Sequence, residues 1–377
     1  MGPDPAGIHR LDPLLQSHFV LPLLEQLRVW SCEASAGRRR LPLIGLNGPV
    51  GAGKSTLGRQ LEALAPRFGL QLVVASIDDL YLSWPERRER FAGNPFGVSR
   101  VPPGSHDLPL LLEALEQWRQ RGVLRLPRFD KTLAGGEGDR AGWREGVCEA
   151  LVLEGWLMGC RPLSEACLAI QLDAVAAGSG RSGEAASGAA RPFETGSGAP
   201  PLRAEEWRWL PRWNRELVHY QPLWQACDGL WLLRPLDWGL PRRWRFQAEA
   251  RQRRGGGGWL PARQLDQLVR ASLCSLPPSL YQDPLTRELA CAPGTLRWPA
   301  ISTENLWLTG ELGATSSQAG GPSDGSSRLQ GPVPANEGER DINKEPSTQA
   351  VAWLDGRRRC RSVWLQASLS PSSSATG

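Results

Sequence analysis

Lysine is almost missing from this chain: among 44 lysines and arginines only Lys54, Lys131 and Lys344 are lysines. A lysine kept in such a chain singles itself out, because a compact ammonium and a planar guanidinium do different chemistry. The eight cysteines (Cys32, Cys148, Cys160, Cys167, Cys227, Cys274, Cys291, Cys360) form no CxxC pair and no Cys/His cluster. That excludes zinc-ribbon and disulfide-scaffold classes and reads as reduced thiols. No apolar run approaches the roughly 18 residues a membrane span needs. There is no signal peptide, and Asp4, Asp12 and Glu25 make the N-terminus too acidic for a transit peptide. The expectation is a cytoplasmic protein with no membrane partner. The net charge of +5 comes from scattered arginines accompanied by acids, so no nucleic-acid partner is expected. A small anionic substrate explains a local positive cleft equally well. Oligomeric state is not legible, and a monomer is compatible with everything above.

What is present describes a core diluted by open segments. Hydrophobic residues make up 41% of the 377, while Gly (42) and Pro (32) together reach about a fifth. Leucines at helical spacing over 11–30 predict an amphipathic helix within an N-terminal segment, 1–40. Strand-type apolar runs follow at Leu41–Leu46, Leu72–Ile77, Ala150–Leu153 and Gly229–Leu233. Between them lie helix patterns, the clearest over Pro109–Arg121 with Gly122 as a stop. Strands alternating with helices predict an α/β fold with a doubly wound, mostly parallel sheet, spanning 41–310. Residues 174–203 and 311–348 are small, polar and without periodicity, and read as disordered. One further strand is expected to return to the sheet within 349–366, before a disordered tail over 367–377.

Immediately after the first strand comes Gly48-Pro-Val-Gly51-Ala-Gly53-Lys54-Ser55, a complete GxxxxGK[ST] phosphate-binding loop. Backbone must approach phosphate too closely for side chains, hence the glycines at 48, 51 and 53. Backbone N–H groups and the following helix N-terminus supply positive potential. Gly48, Gly51, Ala52, Gly53, Lys54, Ser55 and Thr56 are therefore the candidate nucleotide-binding set. Lys54 is assigned to the β- and γ-phosphates of ATP, and the Ser55 hydroxyl to Mg²⁺. A glycine-rich turn matching by accident would lack the apolar strand before it and the amphipathic helix (Leu57, Leu61, Leu64) after it.

Such a loop does not distinguish kinases from switches or motors. The next strand ends in Asp78 and Asp79, where parallel strands open onto the ligand crevice. A carboxylate there accepts the proton of a hydroxyl attacking the γ-phosphate; the alternative is a solvated loop that caps a helix. The third strand ends in Glu154, in the position of a metal-shell carboxylate. Two charged clusters lie between these strands, Gly104-Ser105-His106-Asp107 and Pro127-Arg128-Phe129-Asp130-Lys131. Glycines flanking charges at 135–140 read as a mobile lid that brings Arg140 to the transferring phosphoryl group. Arg128 and Lys131 suit an anionic substrate.

The segments GPVGAGKSTL (48–57), SIDDLYL (76–82), PPGSHDL (102–108), PRFDK (127–131), GEGDRAGW (136–143), LVLEGWLMG (151–159), QPLW (221–224) and WRFQAEARQR (244–253), with a weaker SLPPSLY (275–281), resemble in order the plant-type D-glycerate 3-kinases. These are relatives of uridine kinase, pantothenate kinase and phosphoribulokinase. The resemblance covers about residues 40–285 and implies a P-loop kinase fold. It also implies transfer of the ATP γ-phosphate to the 3-hydroxyl of D-glycerate, with Mg²⁺. It casts Asp78 as general base, Lys54 and Arg140 as catalytic cations, and Ser55 and Glu154 as the metal side. Asp79, Tyr81, His106, Asp107, Arg128 and Lys131 fall on the substrate side, without saying which of them holds the carboxylate. Trp244–Arg253 is implied to flank the nucleotide, with Arg245 near the base or lid.

The chain departs from the pattern at the 174–203 insertion, at GGGGWLPARQLDQLV, which lacks the usual acidic start, and at 311–348. None of these removes a proposed catalytic residue. The alternatives are a sister kinase acting on a nucleoside, pantothenate or polyol, and an ATP-driven switch or motor. The last would need an arginine finger, a sensor motif or a basic groove, none of which is found.

Overall fold

A computed structural model of the chain describes residues 11–178, 198–256, 259–292, 295–298 and 346–366. Its strands are β1 (Leu43–Asn47), β2 (Leu72–Ser76), β3 (Val123–Asp130), β4 (Asp139–Val147), β5 (Ala150–Gly155), β6 (Gly229–Pro235), β7 (Leu296–Trp298), β8 (Thr348–Leu354) and β9 (Cys360–Leu365). Seven of them make one sheet in the order β2-β5-β1-β6-β8-β9-β7, and β3 and β4 form a separate antiparallel ribbon. The run β2-β5-β1-β6-β8 is parallel throughout. The expected doubly wound, mostly parallel architecture is therefore the one observed.

The strand segments are continuously apolar because both sheet faces are covered, as parallel sheets require. Every residue of β1, β5 and β6 is buried. Side chains still alternate between two layers. Leu43, Leu151, Leu153, Leu230 and Leu232 meet the helix Leu108–Arg121 and its neighbours, through Leu111, Leu115 and Trp118. Ile44, Leu46, Val152, Trp231 and Leu233 meet the helices Leu21–Ser35 and Lys54–Leu64, through Leu23, Leu24, Leu27, Leu57 and Leu61. Phe19 extends this second layer, its ring edge-on to Trp231 at 4.9 Å between centroids.

Helix ends follow local chemistry. The Asp107 side chain accepts from the Leu110 N–H and starts the helix Leu108–Arg121, and Gly122 at φ +70 stops it. Trp118, fully buried, donates from its indole N–H to the Cys148 carbonyl at 2.9 Å, tying this helix to the chain entering β5.

Several expectations change. The stretch 349–366 is not one returning strand but two: β8 runs parallel to β6, and β9 turns back antiparallel to β8. Residues 174–178 belong to the helix Glu165–Gly178, because alanine, the best helix former, carries that helix into a sequence that reads as low complexity. Residues 179–197 lie outside the described residues, and the chain from 198 leads into the helix Ala204–Glu216. Of 311–348 only 346–348 are described, and Thr348 already opens β8. The tail 367–377 also lies outside. The charged region 123–147 is a ribbon, with Leu124 and Leu126 buried on one side. Arginines and acids on its other side hide the strand period. No helix among the described residues is long and apolar enough to cross a membrane.

Phe19 fills the contact between the N-terminal segment and the central strand β6. Phe19→Ala is expected to lower unfolding free energy by about 3–5 kcal/mol, read from urea denaturation followed by circular dichroism.

Candidate active site

Strand order brings the chemistry together. β5 lies between β1 and β2, and Glu154 is registered against Leu46 on one side and Ser76 on the other. The phosphate-binding loop leaves β1 on one side of Glu154, and Ile77–Leu80 leaves β2 on the other. Three carboxyl ends of parallel strands thus open on one crevice, where ligands bind in such sheets.

The loop has the conformation its glycines permit. Gly51 and Gly53 hold φ +78 and +96, a region that L side chains rarely enter. Gly53 precedes the helix Lys54–Leu64, whose first N–H groups have no intrahelical acceptor and face an incoming anion. The Thr56 N–H already returns to the Gly53 carbonyl at 3.0 Å, and the Ala52 N–H to the Pro49 carbonyl at 3.2 Å. Lys54 Nζ donates to the carbonyls of Gly48 (2.7 Å) and Pro49 (3.3 Å) and lies 3.9 Å from Glu154. Burial lowers the Lys54 pKa, opposed by the carboxylates of Glu154 and Asp78.

The Ser55 hydroxyl donates to Glu154 Oε1 at 2.9 Å. Among the described residues no group of three or more His, Cys, Asp or Glu gathers as a protein-only metal cage. One hydroxyl beside one carboxylate is instead a donor set suited to Mg²⁺, a hard cation that keeps several waters and shares phosphate oxygens. The residues present fit that ion.

Asp78 joins two of the predicted substrate-side residues. Its Oδ1 accepts from the Tyr81 hydroxyl and its Oδ2 from Lys131 Nζ, both at 2.9 Å. Burial alone would raise its pKa, but the Lys131 ammonium, with help from the Tyr81 hydroxyl, outweighs burial and holds the carboxyl well below the usual range. Tyr81 stacks on His106 with ring centroids 4.6 Å apart, and the two residues form a backbone bridge between their segments. His106 Nδ1 lies 2.7 Å from the Tyr220 hydroxyl, which also accepts from the Gly104 N–H at 3.1 Å. Burial pushes the imidazole down to about 4, so it is neutral at physiological pH. Its Nε2 is buried and has no hydrogen-bond partner among the described residues.

Other predicted residues sit differently. Asp79 accepts from the Phe129 N–H at 3.3 Å and fastens β3 to the end of β2 rather than joining the Asp78 cluster. Arg140 is bound to Asp107 at 2.7 Å and to the Tyr81 carbonyl at 3.1 Å, so its guanidinium braces the helix start at Asp107. Arg128 is exposed and, among the described residues, forms no hydrogen bond or ion pair, so it is not joined to the cluster around Asp78. The lid segment is clamped: Arg87 donates to the Gly138 carbonyl, Arg100 to the Glu137 carbonyl at 3.0 Å, and Ser99 to the Glu137 carboxylate.

Tyr220 and Arg87 are participants that sequence reasoning misses. Tyrosine, however, is as scarce as lysine in this chain, with only three, and two of those, Tyr81 and Tyr220, meet at His106. Rarity was the available signal. Arg87 is fully buried, with its guanidinium 4.9 Å from the Phe129 ring centroid; nothing in a run of charges (ERRER) announces that.

No family model matches the chain. The chain is 28% identical over 225 residues to the uncharacterized kinase mug58 of Schizosaccharomyces pombe, covering 55% of this chain and 69% of that one. It is 27% identical over 287 residues to the chloroplastic D-glycerate 3-kinase of Arabidopsis thaliana, covering 71% of this chain. It spans 55% of the length of that plant protein. Among solved structures, a D-glycerate 3-kinase from Cryptococcus neoformans superposes with a TM-score of 0.53 at 26% identity, over 69% of this chain and 89% of that one. The YGR205w protein superposes with a TM-score of 0.56 at 19% identity, over 92% and 98%, a likeness of fold.

His106 yields a testable consequence for stability. A histidine whose folded pKa lies below its unfolded 6.5 binds its proton more readily when unfolded. Its contribution is complete above 6.5 and is lost as pH falls toward 4. Unfolding free energy is expected to drop by about 2 kcal/mol between pH 7 and pH 5. Urea midpoints at the two pH values measure it, and the drop should be smaller in His106→Gln.

Proposed function

We propose that this chain, a phosphotransferase of the P-loop kinase fold with relatives named D-glycerate 3-kinase, transfers the γ-phosphate of ATP to the 3-hydroxyl of D-glycerate. The observation that carries the reading is the convergence at Asp78. An ionised carboxylate leaves the strand two places from the phosphate-binding strand β1. It is close enough to Lys54 for their charges to act on each other, and it is bonded to the second of the chain's three lysines.

Phosphoryl transfer needs positioning and charge stabilisation more than a strong base. Lys54 and the N–H groups opening its helix hold the β- and γ-phosphates. Ser55 and Glu154 would hold Mg²⁺, which would neutralise charge on the phosphate oxygens. Asp78 accepts the hydrogen bond, and then the proton, of the acceptor hydroxyl as it approaches the γ-phosphorus. Its low pKa keeps it ionised for that role. Lys131, on the exposed side of Asp78, is the cation nearest to an incoming carboxylate. Tyr81 and the neutral His106–Tyr220 pair shape the floor beneath. Arg140 supports Asp107 and reaches a phosphoryl group only by leaving that ion pair. The eight free thiols support a reducing compartment such as the cytoplasm.

A coupled assay of Mg²⁺-dependent ADP release should respond to D-glycerate but not L-glycerate, with 3-phosphoglycerate identified as the product. Equal turnover with uridine or pantothenate would overturn the substrate assignment, and 2-phosphoglycerate would overturn the regiochemistry. Asp78→Asn is expected to retain ATP binding while reducing turnover by a factor of roughly 10² or more; near-normal turnover removes Asp78 as the base.

A further inference from the structure

The turn joining β8 to β9 touches the phosphate-binding loop from a sequence distance of 307 residues. Arg358 stands at its tip. Its Nε donates to the Gly51 carbonyl and its Nη2 to the Trp244 carbonyl, each at 2.6 Å. Trp244 answers from the other side, its indole N–H donating to the Gly356 carbonyl at 3.2 Å. The guanidinium also lies 5.9 Å from the Trp244 ring centroid.

The turn is built to present this side chain. Asp355 Oδ1 accepts from the N–H groups of Arg357 (2.8 Å) and Arg359 (3.0 Å). Its Oδ2 pairs with the side chains of Arg359 (3.2 Å) and Arg361 (2.7 Å). Arg358 itself sits at φ +61, a conformation that costs an ordinary L residue free energy. The hairpin closure itself places a left-handed residue here, the Arg358 N–H donating to the Asp355 carbonyl at 2.8 Å and the Asp355 N–H to the Arg359 carbonyl at 3.0 Å. What the two carbonyl acceptors account for is an arginine at a place that glycine would fill at less cost.

What Arg358 holds is the crest of the loop. The peptide between Gly51 and Ala52 is fixed at both ends, its carbonyl by Arg358 and its N–H by the Pro49 carbonyl. Gly51 is also pressed against the helix Leu240–Arg254: a Cβ there would come within 2.8 Å of the Arg245 nitrogen and of Trp244 Cβ. The guanidinium fork therefore bridges two backbones already in contact. Turning that peptide would displace Gly53 and the N–H groups opening the next helix.

We propose that Arg358 is a positioning residue for nucleotide binding: the β8–β9 turn buttresses the phosphate-binding loop, so the C-terminal hairpin completes the ATP site from outside. This rests on the nucleotide-site reading above. Arginine suits this place because its planar fork holds two donors in fixed directions toward carbonyls of two different segments, where lysine would bring one flexible ammonium. Neighbouring Arg357 is exposed and carries the same charge without either contact.

The full chain and its Arg358→Ala, Arg358→Lys and Arg357→Ala variants are compared for MgATP dissociation constant by calorimetry, KM for D-glycerate, and melting temperature. Arg358→Ala is expected to weaken MgATP roughly tenfold, the loss of charge-assisted hydrogen bonds to the loop. Arg358→Lys should recover part of that loss. Arg357→Ala, and the KM for D-glycerate in all variants, should stay within about twofold. MgATP affinity in Arg358→Ala within about twofold of the parent, or an equal loss in Arg357→Ala, overturns the proposal. If Arg358→Ala does not fold, Arg358→Lys decides in the same way, with unchanged affinity counting against it. A parent protein that fails to bind MgATP overturns the nucleotide-site reading itself, an outcome distinct from any difference among the variants.

Discussion

The insertion of β5 between β1 and β2 is the constraint on which the rest of the molecule depends. Parallel pairing aligns the ends of all three strands, so Glu154 sits with the phosphate-binding loop on one side and Asp78 on the other. A different strand order would leave the same residues too far apart to share a ligand. The apolar continuity of β1, β5 and β6 secures that order, because strands buried on both faces are most stable in the centre of a sheet.

Around this frame, charges are paired before any ligand arrives. Lys54 lies against Glu154 and two loop carbonyls, Lys131 against Asp78, and Arg140 against Asp107. The pairs differ in exposure, and that difference sorts their roles. The Lys131 side chain is 57% exposed and can exchange partners, whereas that of Lys54 is 11% exposed and bound in the loop. His106, stripped of charge by burial, adds polarity without a competing cation.

The scarcity of lysine also finds a physical reason in the fold. Arginines throughout the molecule cross-link backbone carbonyls of distant segments: Arg40 and Arg119 to Ala226, Arg87 to Gly138, Arg144 to Val74, Arg358 to Gly51 and Trp244. A planar fork with five donors serves that purpose better than a flexible ammonium. The two lysines of the described residues each lie beside a carboxylate, Lys131 on Asp78 and Lys54 near Glu154, and Lys54 also binds carbonyls within its own loop rather than on a distant segment.

Much of this was legible in the chain itself. The GxxxxGK[ST] run, the strand before it and the helix after it are local patterns, because glycine freedom, apolar periodicity and capping act over a few residues. Asp78 and Glu154 were legible as strand-terminal acids for the same reason. Partnership across the fold was not. The bond of Asp79 to the Phe129 backbone, the commitment of Arg140 to Asp107 and the seating of Tyr220 under His106 join residues 33 to 114 positions apart. The β8–β9 hairpin reaches the loop over 307. Periodicity carries no information at such separations. Only packing of the sheet and its helices decides which donor finds which acceptor, and so which of many arginines becomes part of the site.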